Sequence, residues 1–156
     1  MIKIRQANIE DAELILSLIK DLAKFEQLLD SVVATADDIR KNVFGDNKFI
    51  YVLIAEYDSN PVGFALFFHN YSTFVGKPGI YLEDLYVKEE YRNKGIGKKL
   101  LQEIAKIAVE KDCGRFEWSV LTWNPARKFY EYLGAKSMEE WRVYRIEGEA
   151  LRKLAE

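Results

Sequence analysis

One cysteine, one histidine and three prolines stand in 156 residues. Cys113 has no partner for an intrachain disulfide, which fits a reducing compartment. It sits in Lys111-Asp112-Cys113-Gly114, directly after a helical pattern, and reads as an incidental residue at a helix end. His69 lies in an apolar, strand-like run without the neighbouring ligands a zinc site needs. It is expected to be structural, so no metal is expected. A basic surplus is also missing: 23 Lys and Arg face 25 Asp and Glu, for a net charge of −2. Nothing is left over to neutralise a phosphate backbone, which argues against a nucleic-acid partner. Long apolar runs are absent too. Val62 to Phe68 is far shorter than the ~20 residues that cross a bilayer, so no membrane partner is expected. The chain opens with Met1-Ile2-Lys3-Ile4-Arg5, an alternation and not an apolar block. No secretory leader is read there, and a cytoplasmic location is expected.

What is present is an ordinary globular balance, 49% hydrophobic and 31% charged, with a high 13% of aromatics. A chain of this length fits one domain, residues 1–156, with a core of its own. Ile2 and Ile4 alternate with charges as a first strand. Asn8, with Asp11 three residues on, signals a helix start. Leu14, Leu18, Leu22 and Phe25 then recur at helical spacing. Thr35 is placed to cap a shorter helix through Asp37, Asp38 and Ile39. Phe49 to Tyr57 and Val62 to Phe68 read as strands joined by the turn Ser59-Asn60-Pro61. After a turn at Gly76 to Gly79 comes a third strand, Ile80 to Val87.

A helix carrying Leu100, Leu101, Ile104, Ile107 and Ala108 follows, then a strand from Phe116 to Leu121. Asn124 caps the next helix, with Pro125 at its first position and Gly134 as its stop. Val143 and Ile146 suggest a last strand, and Glu147 to Glu156 a short terminal helix. The order predicts an α/β domain around one mixed, mostly antiparallel sheet flanked by helices.

Between the third strand and its helix lies Arg92-Asn93-Lys94-Gly95-Ile96-Gly97. A strand, a glycine-bearing turn and a helix start form a ready anion site, because free N–H groups and the helix dipole face the ligand. Lys94, Lys98 and Lys99 add positive charge. A P-loop needs G-x-x-x-x-G-K-[ST] and a dinucleotide fold G-x-G-x-x-G; the segment matches neither. The pattern that fits is R-x-x-G-x-G. Alone it is also what a solvated turn looks like. In this context it resembles the coenzyme A pyrophosphate loop of the GNAT acetyltransferases. Trp123-Asn124-Pro125-Ala126-Arg127-Lys128-Phe129-Tyr130, followed by Gly134-Ala135, is similar to that family's late helix.

Three further segments resemble the diamine branch of the family, the spermidine/spermine type. They are Leu18 to Glu26, Tyr81-Leu82-Glu83-Asp84-Leu85, and Trp141-Arg142. The resemblance implies a homodimer and acetyl-CoA as co-substrate. It also implies roles. Glu83 matches an acidic residue that helps deprotonate the amine, and Tyr130 an acid for the leaving thiolate. Leu85, Tyr86 and Val87 match the strand that meets the acetyl group and pantetheine. Arg92, Asn93, Lys94, Gly95, Ile96, Gly97 and Lys98 match the pyrophosphate loop, and Asn124, Ala126 and Arg127 the coenzyme-side helix start. Phe25, Glu26, Glu83, Asp84, Glu117, Trp118 and Ser119 match the acceptor side. Two departures stand out: Phe25 replaces a Tyr of the polyamine enzymes, and the segment from Asn124 to Tyr130 is one residue shorter.

The chemistry asks for such groups. An alkyl ammonium has a pKa near 10, so at neutral pH only about one amine in a thousand is free to attack. A carboxylate attracts the cation and takes its proton, directly or through water. Strand alternation puts Glu83 and Asp84 on opposite faces, which favours Glu83 as the base and leaves Asp84 as a substrate or structural ligand. A bulged or splayed strand around Leu85 to Val87 would supply an N–H for the oxyanion. The expected reaction is direct acetyl transfer in a ternary complex to a small diamine or polyamine. The alternatives are a thialysine or other amino-acid acceptor, for which Arg127 or Arg142 would meet a carboxylate, and a non-catalytic acyl-coenzyme A sensor.

Overall fold

The computed structural model describes residues 1–156. Its first compact unit, Met1–Ser119, holds the sheet. Five strands lie in the order β1 (Ile2–Gln6), β2 (Ile50–Tyr57), β3 (Asn60–Ser72), β4 (Lys77–Val87) and β5 (Phe116–Trp118). The first three pairings are antiparallel and β4–β5 is parallel, so the sheet is mixed and mostly antiparallel. β3 and β4 are longer than expected, meeting at a tight connection that begins after Ser72.

Both predicted N-terminal signals act as capping boxes. Asn8 accepts from the Glu10 N–H while Asp11 accepts from the Asn8 N–H, which starts a single 3-10 turn ahead of α1 (Ala12–Phe25). Thr35 and Asp38 do the same for α2 (Ala36–Phe44). Ala12, Ile15 and Leu18 of α1 and Ile39 and Val43 of α2 bury themselves against Val52, Ile54 and Phe64 of the sheet. On the other face α3 (Ile96–Glu110) buries Ile96, Leu100, Leu101 and Ile104. His69 Nδ1 lies 3.0 Å from the Gly79 carbonyl, as a structural histidine would. At Gly63 an added Cβ would sit 2.6 Å from the Tyr86 carbonyl oxygen, so β3 and β4 approach there only because that position lacks a side chain.

The second compact unit, Val120–Glu156, holds α4 (Ala126–Tyr132) and α5 (Gly148–Leu154). Two expectations fail here. The strand from Phe116 stops at Trp118, and residues 119–121 do not extend it. The last strand at Val143 to Ile146 does not form; those residues belong to no helix or strand. A pattern of alternating apolar residues makes a strand only where a neighbouring strand offers hydrogen bonds.

Candidate active site

β4 carries the first part of the site, and a bulge shapes it. In the β3–β4 ladder Tyr81 faces Phe68, Leu82 faces Phe67 and Asp84 faces Leu66, leaving Glu83 as the extra residue. Phe68 and Leu66 are two apart on β3, so they share a face. Tyr81 and Asp84, three apart, therefore share that face too. This corrects the simple alternation expected at Glu83–Asp84. The bulge turns Asp84 to the α1 side, with Leu66 and Tyr86, which pack against the α1–α2 core.

The β5 ladder opposes Tyr81 with Glu117 and Leu82 with Trp118, then ends. Glu117 and Ser119 thus lie on the Asp84 face and Trp118 on the α3 face. The Tyr81 hydroxyl and Ser119 Oγ are 2.6 Å apart, and Asn70 Nδ2 donates to Glu117 at 3.4 Å. From Glu83 to Val87 no strand continues the ladder on this side of β4. The bulge falls at Glu83 and not at Leu85 to Val87, which pair in register with Ala65 to Gly63; with the open strand edge beyond it, it has the form of a strand that offers main-chain donors to a ligand.

Asp84 is mostly buried, and burial lifts its carboxyl to about 7, with the charges of Glu83 and Glu26 adding to the rise. Burial also raises Glu26, at the C-cap of α1. Glu83 is exposed. Two carboxylates thus act on a third, and none of the groups that move Asp84 is a cation. The arrangement attracts a cation, and Asp84 sits where it exchanges a proton near neutral pH.

The glycine segment forms the second part. Asn93 and Gly95 adopt left-handed conformations, φ 61° and 80°. Gly95 precedes α3, whose first turn has neither a side-chain cap nor an acidic residue. At Gly97 an added Cβ would meet nothing closer than Val87 Cγ2 at 4.0 Å, so the fold itself leaves that space open. Lys98 is exposed. The other cations turn back on the protein: Lys94 Nζ lies 5.7 Å from the Tyr57 ring centre and Lys99 Nζ donates to the Ile2 carbonyl at 3.1 Å. Arg92 Nε donates to the Val87 carbonyl at 2.9 Å, with the guanidinium over the Phe25 and Tyr86 rings.

Within the second unit, Asn124 Oδ1 accepts from the Ala126 N–H at 2.9 Å, the expected cap. Arg127 donates to the Thr122 carbonyl at 2.9 Å and pairs with Glu139 at 3.4 Å. Tyr130 is half-buried, its ring 5.8 Å from that of Phe129. Gly134 ends the helix with φ 97°.

The model of the acetyltransferase (GNAT) family matches residues 16–135. The chain belongs to the GNAT acetyltransferase family. It is an N-acetyltransferase that uses acetyl-CoA as co-substrate and acts on amines. The chain is 42% identical to a thialysine N-epsilon-acetyltransferase of Sus scrofa, over 97% of this chain and 96% of the relative. It is 33% identical to an L-ornithine N5-acetyltransferase of Arabidopsis thaliana, over 97% and 87%. Against a human spermidine/spermine N(1)-acetyltransferase-like protein it is 37% identical over 98% of this chain, but only 24% of that longer protein. Among solved structures, an integron cassette protein from the mobile metagenome of V. cholerae superposes with a TM-score of 0.82. It is 28% identical, over 99% of this chain and 97% of that one. No helix of this GNAT chain is long and apolar enough to cross a membrane.

The family's coenzyme fits the loop on the chain's own features: an uncapped helix start, left-handed Asn93 and Gly95, and the space left at Gly97. A cavity of about 350 Å³ lined by Tyr51, Phe67, His69 and Glu110 lies at the far end of α3 and is a separate feature.

Proposed function

We propose that the acceptor is the side-chain amine of a basic amino acid of the thialysine or ornithine kind, with polyamines as poorer substrates. The observation that carries an amine acceptor is the Glu26–Glu83–Asp84 group, in which Asp84 titrates near 7. The choice of an amino acid over the polyamine that the resemblance first suggested follows the relatives. Thialysine acetyltransferases of pig, cow, mouse and nematode are 36–42% identical over at least 94% of this chain.

In this reading Glu26 and Glu83 draw in the ammonium and Asp84 takes its proton. The nitrogen lone pair attacks the acetyl carbonyl, and the C–S bond breaks as the tetrahedral intermediate collapses. The thiolate takes a proton from Tyr130, the role that the family resemblance gives it, and the phenolate regains one from the nitrogen, which sheds its second proton to become the amide. Main-chain donors on the open edge of β4 hold the oxyanion. The diphosphate of the coenzyme rests on the N–H groups from Gly95 onward and on Lys98. Acetyl-CoA consumption against thialysine, ornithine, lysine, putrescine and spermidine tests the assignment. The expected result is the highest kcat/KM for an amino acid. A preference for spermidine overturns it, and coenzyme binding without turnover on any amine removes the catalytic reading altogether. Tyr130→Phe is expected to lower kcat about 10²-fold with coenzyme affinity unchanged.

The working form in this proposal is a homodimer. None of residues 120–156 is buried, and Trp141, Val143 and Tyr144 are 76%, 80% and 93% exposed. Exposed apolar side chains of this kind, outside any helix or strand, call for cover, and a second copy supplies it symmetrically. Light scattering at micromolar concentration is expected to give twice the chain mass of 18.2 kDa. A monomer would overturn the dimer and leave the chemistry untouched.

A further inference from the structure

Arg92 opens the R-x-x-G-x-G loop, yet its side chain is committed elsewhere. It follows the 3-10 turn Glu89–Tyr91 in an extended conformation. Nε donates to the carbonyl of Val87, the last residue of β4, at 2.9 Å. The guanidinium carbon lies 4.7 Å from the centre of the Phe25 ring and 5.5 Å from that of Tyr86. Phe25 is the last residue of α1 and Tyr86 shares the Asp84 face of β4. One side chain thus joins three places: the end of α1, the sheet face beneath it and the root of the loop. A planar, delocalised cation is suited to this, because it stacks on rings while its edge donates to a carbonyl. Lysine, a compact charge on a flexible stem, cannot do both.

The next residue after Phe25 is Glu26, whose charge helps raise Asp84. Where the end of α1 sits therefore sets how strongly Glu26 acts on the acceptor and on the base. We propose that Arg92 is a positioning residue for the acceptor side and not a diphosphate ligand: it clamps the end of α1, with Phe25 and Glu26, to the root of the coenzyme loop. The diphosphate is left to main-chain N–H groups and Lys98. A ring at position 25 is what the clamp requires, and the hydroxyl of the polyamine enzymes' Tyr is not needed for it. The proposal rests on the reading of residues 92–98 as the coenzyme loop.

The test measures KM and kcat for the amine and for two acetyl donors, acetyl-CoA and S-acetylpantetheine, which lacks the diphosphate. Arg92→Ala is expected to raise the amine KM about tenfold, to shift the pH at which amine kcat/KM rises, and to affect both donors by the same factor. Phe25→Leu is expected to reproduce the amine effect, and Arg92→Ala to add little on top of it. Arg92→Lys, the variant to use if the alanine form does not fold, is expected to fall between, with the same equality of donors. A loss confined to acetyl-CoA, with the amine KM unchanged, would make Arg92 a diphosphate ligand and overturn the proposal. No change in either substrate would overturn it equally. Lys98→Glu tests the underlying reading separately: it is expected to weaken acetyl-CoA and spare S-acetylpantetheine. Equal behaviour of the two donors there would bring down the loop assignment, and the clamp with it.

Discussion

The first unit holds two acidic clusters that differ in one respect. At the β1 edge Asp11 and Glu56 surround Arg5, which donates to Asp11 at 2.8 and 2.9 Å and to Glu56 at 2.6 Å. Around Asp84, Glu83 of β4 and Glu26 at the end of α1 add like charge, and none of the causes of its shift is a cation. The consequences are opposite. The Arg5 hydrogen bond, ahead of the opposing cost of burial, holds Asp11 below the usual carboxylate range. Burial and two like charges push Asp84 up to about 7. The same residue type, buried in the turn ahead of α1 in one case and half-buried on β4 in the other, is held as an anion in the first place and titrates near neutral pH in the second. A cation in the cluster fixes its charge, and the lack of one is what the acceptor role proposed for Glu26, Glu83 and Asp84 requires.

The strongest way to break the contrast is Asp84→Asn. It is expected to lower kcat/KM for the amine by about 10²–10³-fold. It is also expected to stabilise the protein at pH 8. Asp84 titrates higher folded than unfolded, so its contribution is fully present below about pH 4 and is lost as pH rises through 7. The rise from 3.8 to about 7 corresponds to roughly 4 kcal/mol of stability lost over that range. Urea unfolding at pH 5 and pH 8 reads the upper part of that range, about 3 kcal/mol; an asparagine variant that is no more stable than the parent at pH 8 would remove the raised carboxyl from the account.

Arg5→Ala is the counterpart. It strands two carboxylates whose side chains are 10% and 16% exposed, at an expected cost of about 2–3 kcal/mol. kcat at a permissive temperature is expected to stay within about twofold. In the parent, Asp11 titrates lower folded than unfolded, so its stabilisation is present above about pH 4 and fades as pH falls. Thermal unfolding at pH 7 and pH 3 should therefore show the variant's deficit shrinking in acid.

The smallest effect sharpens the comparison. In wild type the amine kcat/KM is expected to rise with pH through about 7 as Asp84 ionises. Glu26→Gln removes one like charge and is expected to move that rise toward lower pH, with an amine KM a few-fold higher. A pH profile that stays in place would detach Glu26 from Asp84.

Much of this fold lies open in the sequence because it is locally encoded. Asn8 with Asp11 and Thr35 with Asp38 form the boxes their spacing announces. Gly95 takes the left-handed conformation that few side chains accept. The bulge at Glu83 carries no signature of its own: it arises from the register of two strands, and it alone turns Asp84 to the face of Tyr81. The early end of β5 and the missing strand at Val143 to Ile146 are likewise decisions of pairing, invisible in an alternation of apolar residues.

By itself the sequence determined the element order as far as α4, the helix starts, the glycine loop and the family, since each depends on neighbours along the chain or on short motifs. The tertiary structure decided which carboxylates meet, which of them is left without a cation, and where Arg92 is anchored. Those are questions of distance and burial between residues far apart in the chain. A carboxyl group's pKa depends on both, and neither is written in the order of the residues.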